Sequence, residues 1–140
     1  ALAGVSALIA VSTLGNLDYY FGSFVERDET MWVFADNLVD SLEAAHSYNN
    51  PGTIYFFSGR WSYHYETRKF LYPNTPGIDR SREFGDFFSL EKTAAGPVTY
   101  VLLHPYTREL KSLKDMHPNG REIKGIDEFG GTRFAVYHVP

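Results

Sequence analysis

The sequence contains no cysteine. That excludes a disulfide scaffold, a thiolate metal site and a cysteine nucleophile. It also lacks a basic stripe. Thirteen Lys and Arg stand against 17 Asp and Glu, the net charge is −4, and the cations are scattered. Nucleic-acid binding needs clustered positive charge, so no nucleic-acid partner is expected. Common catalytic signatures are missing as well. There is no Walker A loop and no Gly-x-Ser-x-Gly elbow, and the five histidines (His46, His64, His104, His117, His138) do not stand at metal-ligand spacing. No catalytic residue, metal site or cofactor is therefore assigned.

Charge is absent from one further place. The first seventeen residues, Ala1 to Leu17, contain no Asp, Glu, Lys or Arg. A spanning helix needs roughly 20 apolar residues, and Gly15 and Asn16 interrupt this run before that length. A secretory leader is a poor match too, since the run has neither an initiating Met nor a basic flank. The mix of Ala, Gly and Ser with Leu, Val and Ile suits helix packing inside a membrane. The expectation is that residues 1–17 are the outer turns of a transmembrane helix or an apolar lead-in, and that 18–140 form a single soluble domain. The alternative is a buried or amphipathic first helix with Leu2, Val5, Ile9 and Thr13 on one face.

The flank carries a further hint. Between Asp18 and Thr30 the one basic residue is Arg27, beside Asp18, Glu26, Asp28 and Glu29. Cytoplasmic flanks are enriched in Lys and Arg, so the expected location is the extracytoplasmic face. Tyr19, Tyr20, Phe21 and Phe24 would then lie at headgroup depth.

The remainder has globular composition, with 44% hydrophobic and 21% charged residues. Ten Tyr and eleven Phe predict either an aromatic core or a surface that meets sugar, lipid or protein. Met31, Phe34, Ala35, Leu38, Leu42 and Ala45 recur at helical steps, with Asp28 as N-cap and Asn49-Asn50-Pro51-Gly52 as the stop. Thr53 to Phe57 (TIYFF) and Val98 to Leu103 (VTYVLL) are continuous apolar runs that predict buried strands. Ser62 is expected to cap a short helix over Tyr63 to Tyr72, and 77–81 to form a short strand. A single helical turn is expected around Phe84, Phe87, Phe88 and Leu90. Pro105 can open a third helix. Glu122 to Asp127 and Arg133 to Val139 predict a hairpin around Phe129-Gly130-Gly131.

Alternating strands and helices imply a parallel sheet. The expected fold is a small Rossmann-like α/β sandwich, mainly parallel, with a C-terminal antiparallel hairpin and helices on its faces. Ligands of such sheets bind beyond the carboxyl ends of the strands. Three turns fall there. They carry Ser58, Arg60 and Trp61; then Asp79, Arg80 and Arg82; then His104, Tyr106 and Arg108. Four arginines and two aromatics are a candidate site for a phosphate or sugar phosphate, because Arg supplies planar paired donors and Trp a stacking face. The competing reading is a set of solvated loop charges.

The order of pieces resembles the C-terminal soluble domain of membrane glycosyltransferases of the dolichyl-phosphate-mannose–protein mannosyltransferase type. The matching stretches are Tyr19-Tyr20-Phe21 after the apolar segment, the helix Met31 to Ala45, TIYFF, Arg68-Lys69-Phe70-Leu71-Tyr72-Pro73, VTYVLLHP and the closing EFGGTRFAVYHV. The resemblance implies a parent enzyme that moves sugar from a polyprenyl-phosphate carrier on the outer face. The catalytic acid of such enzymes lies in an early loop, so none transfers to these residues. The Trp-Trp-Asp-Tyr-Gly motif of the oligosaccharyltransferase branch has no counterpart here, since Trp32 and Asp36 do not reproduce it. The implied role is a non-catalytic domain that helps position carrier or acceptor. Its implied partners are the membrane portion of its own parent protein and a polyprenyl-phosphate sugar or acceptor. The alternative is a free-standing α/β module binding a phosphorylated small molecule or sugar.

Overall fold

The computed structural model describes residues 2–23, 35–81 and 96–140. It divides into two compact units, Ala1–Asp36 and Asn37–Pro140. In the first, helix α1 (Leu2–Asp18) runs into a wider π-helical turn, Tyr19–Ser23. Val5, Leu8, Ile9, Val11, Leu14 and Leu17 of α1 are all exposed. At 100° per residue these six side chains point in every direction around the axis, so α1 has no polar face. Val5, Ile9 and Thr13 do share one side of the helix, but apolar side chains continue round the rest of the axis. Among the described residues no helix is long and apolar enough to cross a membrane.

The second unit is α/β. Its elements are α2 (Asp36–His46), β1 (Thr53–Phe57), α3 (Glu66–Leu71), β2 (Gly77–Asp79), β3 (Val98–Leu103), a 3-10 turn (Tyr106–Glu109), α4 (Leu110–Met116), β4 (Arg121–Ile126) and β5 (Thr132–Val139). One five-stranded mixed sheet has the order β2-β1-β3-β5-β4. The first three strands are parallel, and β5 and β4 are antiparallel to their neighbours. The hairpin thus extends one edge, as the sequence predicts.

Position in the sheet explains the patterns. β3 is central, and all six of its residues are buried, so apart from Thr99 its sequence is apolar rather than alternating. β4 is an edge strand and alternates between exposed and half-buried. On one face Tyr55, Phe57, Tyr100, Leu102, Ala135 and Tyr137 pack with Tyr106, Leu110 and Leu113. The opposite face carries Ile54, Phe56, Val101 and Val136, all fully buried. There Tyr63 packs on Phe56 with ring centroids 5.8 Å apart. α2 is tied to this side. Asn37 Oδ1 accepts from Trp61 Nε1 at 3.1 Å, Asp40 pairs with Arg133 at 3.4 Å, and Tyr48 stacks on His138 at 4.5 Å.

β2 ends at Asp79 rather than at residue 81, and two helix boundaries also differ from expectation. The second helix begins at Asp36, not Met31, because Ala35 has φ 56°, which breaks a right-handed helix. Met31, Phe34 and the N-cap Asp28 lie outside the described residues. α3 is shorter than predicted and begins at Glu66 with Tyr65 at its N-cap position; the Ser62 hydroxyl accepts from His64 N at 3.2 Å in a local turn ahead of the helix and donates to Asp79 Oδ2 at 2.8 Å. The segment around Phe84, Phe87, Phe88 and Leu90 also lies outside the described residues.

Candidate functional site at the carboxyl ends of the parallel strands

The three turns expected at the carboxyl ends of β1, β2 and β3 do converge. Main-chain and hydroxyl groups fasten them. Ser58 N donates to Ser81 Oγ at 3.0 Å, and Gly59 N to the His104 carbonyl at 3.0 Å. Tyr106 donates its hydroxyl proton to the Ser81 carbonyl, and its ring packs on Phe57 at 5.7 Å. Gly59 is a packing requirement: a Cβ there would come within 2.7 Å of Pro105 Cδ and 3.1 Å of the His104 oxygen. The glycine of this turn serves contact between turns.

Ser58 and Asp79 are consumed by this framework. Ser58 is buried, and its hydroxyl oxygen accepts from Arg60 N at 3.1 Å and Trp61 N at 2.8 Å. The Asp79 carboxylate accepts from Ser62 Oγ, from Tyr63 N at 2.8 Å and from Ser81 N at 3.0 Å. Burial by itself raises the pKa of Asp79. Hydrogen bonds from Ser81, Ser62 and Tyr63 outweigh it and leave the carboxyl below its ordinary range. The resulting negative charge, after burial itself, raises the pKa of the Tyr106 phenol, with Arg108 opposing.

The side chains of the candidate cluster diverge. Asp79 reaches Ser62 and Tyr63 on the α3 side of the sheet. Its neighbour Arg80 turns to the other side, where its guanidinium lies 5.8 Å from the Tyr55 ring. Arg60 is exposed and lays its guanidinium 4.7 Å above the Trp61 ring, which is tilted against Tyr65 at 5.0 Å. Arg108 is exposed and pairs with Glu109 at 3.3 Å. His104 is exposed, and its carbonyl is what joins the turns. Arg82 lies outside the described residues. The fold therefore brings together the backbones of these turns, while the side chains of Asp79 and Arg80 leave on opposite faces.

Three residues at this end were not anticipated as contributors. Ser62 and Ser81 hold Asp79. The signal for Ser81 is its place two residues after an aspartate at a strand end, where an Asx turn forms. Arg68 is buried, at 7% exposure. Its Nε donates to the Tyr63 carbonyl at 2.7 Å, its Nη1 to the Tyr72 carbonyl at 3.2 Å, and its guanidinium lies 4.2 Å above the Tyr63 ring. A sequence shows no sign that one arginine among many turns inward.

One buried hydroxyl–imidazole pair lies at the opposite end of the sheet. Thr99 Oγ1 is 3.0 Å from His138 Nδ1, but it donates its proton to the Pro51 carbonyl at 2.6 Å. His138 must then donate from Nδ1, which is the reverse of a base activating a nucleophile. The pair is structural.

In the turn that follows α1, Tyr19 and Phe21 are exposed, Phe21 at 78%. Tyr20 lies within the π-helical turn, its side chain outside the description, and Phe24 lies outside the described residues. Among the described residues no group of three or more His, Cys, Asp or Glu is placed to hold a metal ion. No protein-family model matches the chain, and no curated protein or solved structure matches it.

Proposed function

We propose that this chain is the extracytoplasmic accessory domain of a membrane glycosyltransferase that uses a polyprenyl-phosphate sugar. In this reading α1 is the outer end of a membrane-embedded helix and the α/β unit is non-catalytic, helping to position carrier or acceptor. The observation that carries the reading is α1, whose exposed apolar residues surround its axis. A helix without a polar face is stable where lipid or protein covers every side, not in water. The exposed Tyr19 and Phe21 at its end have the character of residues at a membrane interface. The sequence resemblance supplies the enzyme class, and a Rossmann-like descent of the sheet belongs to the same proposal. In this reading the fastened turns beyond β1, β2 and β3, with exposed Arg60, His104 and Arg108, are the surface that meets the carrier or acceptor.

The experiment is sugar transfer in membranes from cells expressing the whole gene, with and without residues 37–140. The intact product is expected to transfer sugar from a polyprenyl-phosphate donor, and the deletion to lower transfer at least tenfold while the protein remains in the membrane. Absence of transfer by the intact product, or full transfer by the deletion, contradicts the reading.

A further inference from the structure

The hairpin between β4 and β5 ends in an apolar tip. Phe129 is 82% exposed and Ile126 52% exposed. The turn is tightly organised around Asp127. Its Oδ1 accepts from Phe129 N at 2.9 Å and from Gly131 N at 2.6 Å. Asp127 N donates to the Gly131 carbonyl at 2.9 Å, and Gly130 N to the Asp127 carbonyl at 3.1 Å. Gly130 has φ 81°, a conformation glycine adopts without strain. The backbone N–H groups of residues 127, 129, 130 and 131 are thus satisfied within the turn.

An N–H that leaves water without a partner carries a large penalty, which is why lipid-exposed loops are avoided. A tip in which four backbone donors are already bonded loses less on leaving water than an open loop would, and its phenyl ring gains from the transfer. Glu128 is exposed beside it, and together with the Asp127 carboxylate inside the turn it sets a limit. Both carboxylates must stay among headgroups, so the tip can enter only the interfacial layer, and a zwitterionic surface suits it better than an anionic one.

The register places this tip at a definite end of the sheet. Leu103, the last residue of β3, pairs with Phe134 near the start of β5, and Phe57 of β1 pairs with Leu102. The tip therefore lies at the same end as the turns carrying Arg60, Trp61, Tyr65 and Arg108. Tyr65 is 39% exposed, and Arg60 and Arg108 are exposed. Arginines suited to lipid phosphates, with Trp, Tyr and Phe, form the composition of a membrane-interface surface.

We propose that the carboxyl-terminal end of the sheet is a bilayer-facing surface and that Phe129 enters the interfacial layer of a zwitterionic membrane. This rests on the membrane attachment proposed above and adds which end of the α/β unit meets the lipid. Phe70, 84% exposed at the end of α3 that leads to the amino end of β2, lies away from that surface.

The absence of cysteine makes the test clean. The full chain carrying Phe129→Cys or Phe70→Cys is labelled with an environment-sensitive fluorophore and mixed with phosphatidylcholine vesicles, with flotation run on the same samples. The expected result is flotation of both. The label at position 129 should shift to the blue and lose emission when a headgroup-proximal spin-labelled phosphatidylcholine is included, while the label at 70 stays unchanged. Flotation with an unquenched label at 129, or with equal quenching at 70, overturns this inference and leaves membrane attachment standing; the tip would then suit a protein partner. Failure of both variants to float overturns the attachment and this inference together.

Discussion

The carboxylate of Asp79 accepts a hydrogen bond from the backbone N–H of Tyr63 at 2.8 Å. This contact joins the end of β2 to the turn after β1, and with the bonds from Ser62 and Ser81 it makes Asp79 a hub rather than a ligand. In Asp79→Asn one side-chain oxygen becomes an NH2 group. Either orientation sets that donor against a backbone donor, Tyr63 N–H or Ser81 N–H. The expected loss is about 1–3 kcal/mol, from charge-assisted hydrogen bonds at a half-exposed site. Because the folded pKa of Asp79 is depressed, its stabilisation is present above the unfolded value of about 3.9 and is lost as pH falls through the folded value. Urea unfolding between pH 2 and 6 checks both points: the acid-side slope should shrink in the variant.

Tyr106→Phe tests the fastening of the third turn. It removes the hydroxyl that donates to the Ser81 carbonyl and leaves the ring on Phe57. The expected cost is about 1 kcal/mol. Hydrogen exchange at Ser58, whose N–H bonds the Ser81 hydroxyl, should accelerate with it. Unchanged exchange would mean that the turns hold together without Tyr106.

Arg68 braces α3 through two carbonyls and the Tyr63 ring. Arg68→Met keeps the apolar stem and removes both donors, so the Tyr63 and Tyr72 carbonyls lose their partner. The expected destabilisation is about 2–3 kcal/mol. Arg68→Lys retains charge without the planar fork and is expected to recover only part of it. Urea midpoints of the two variants provide the comparison.

The order and orientation of the elements were legible because position in a sheet writes itself into hydrophobic pattern. β3 is apolar but for Thr99 because both of its faces are covered, and β4 alternates because it is an edge. The convergence of the turns at Ser58, Asp79 and His104 followed from that order, since parallel strands bring their carboxyl ends to one side. The direction of each side chain did not. Adjacent residues on a strand point to opposite faces, so Asp79 and Arg80 part company, and a list of charged residues on neighbouring turns overstates how many can meet one ligand. The early helix boundary was illegible for a different reason: Ala35 fits the apolar stripe, and only its backbone, at φ 56°, shows that the stripe is interrupted.

His138 should make stability fall on mild acidification. Its pKa is lowered by burial and, secondarily, by the positive charge of Arg121. The folded state therefore prefers the neutral ring. Its contribution is complete above the unfolded value of about 6.5 and is lost as pH falls through the lower folded value, because the unfolded chain then binds the extra proton. NMR titration of the His138 ring should give a pKa below 6.5, and His138→Gln should flatten the stability profile in that window. A ring that titrates above 6.5 would contradict the preference for the neutral form that burial and Arg121 impose.

The most direct test of membrane attachment is flotation of the chain with phosphatidylcholine vesicles, compared with the double variant Val11→Lys, Leu14→Lys. Both positions are exposed, at 72% and 67%, so the substitutions leave packing within the unit intact. Each lysine at membrane depth costs about 2.5–3.5 kcal/mol, enough to reverse a marginal insertion. The unaltered chain is expected to float with the vesicles and the double variant to remain in the dense fraction. An unaltered chain left in the dense fraction, or a double variant that floats equally well, would contradict membrane attachment through α1.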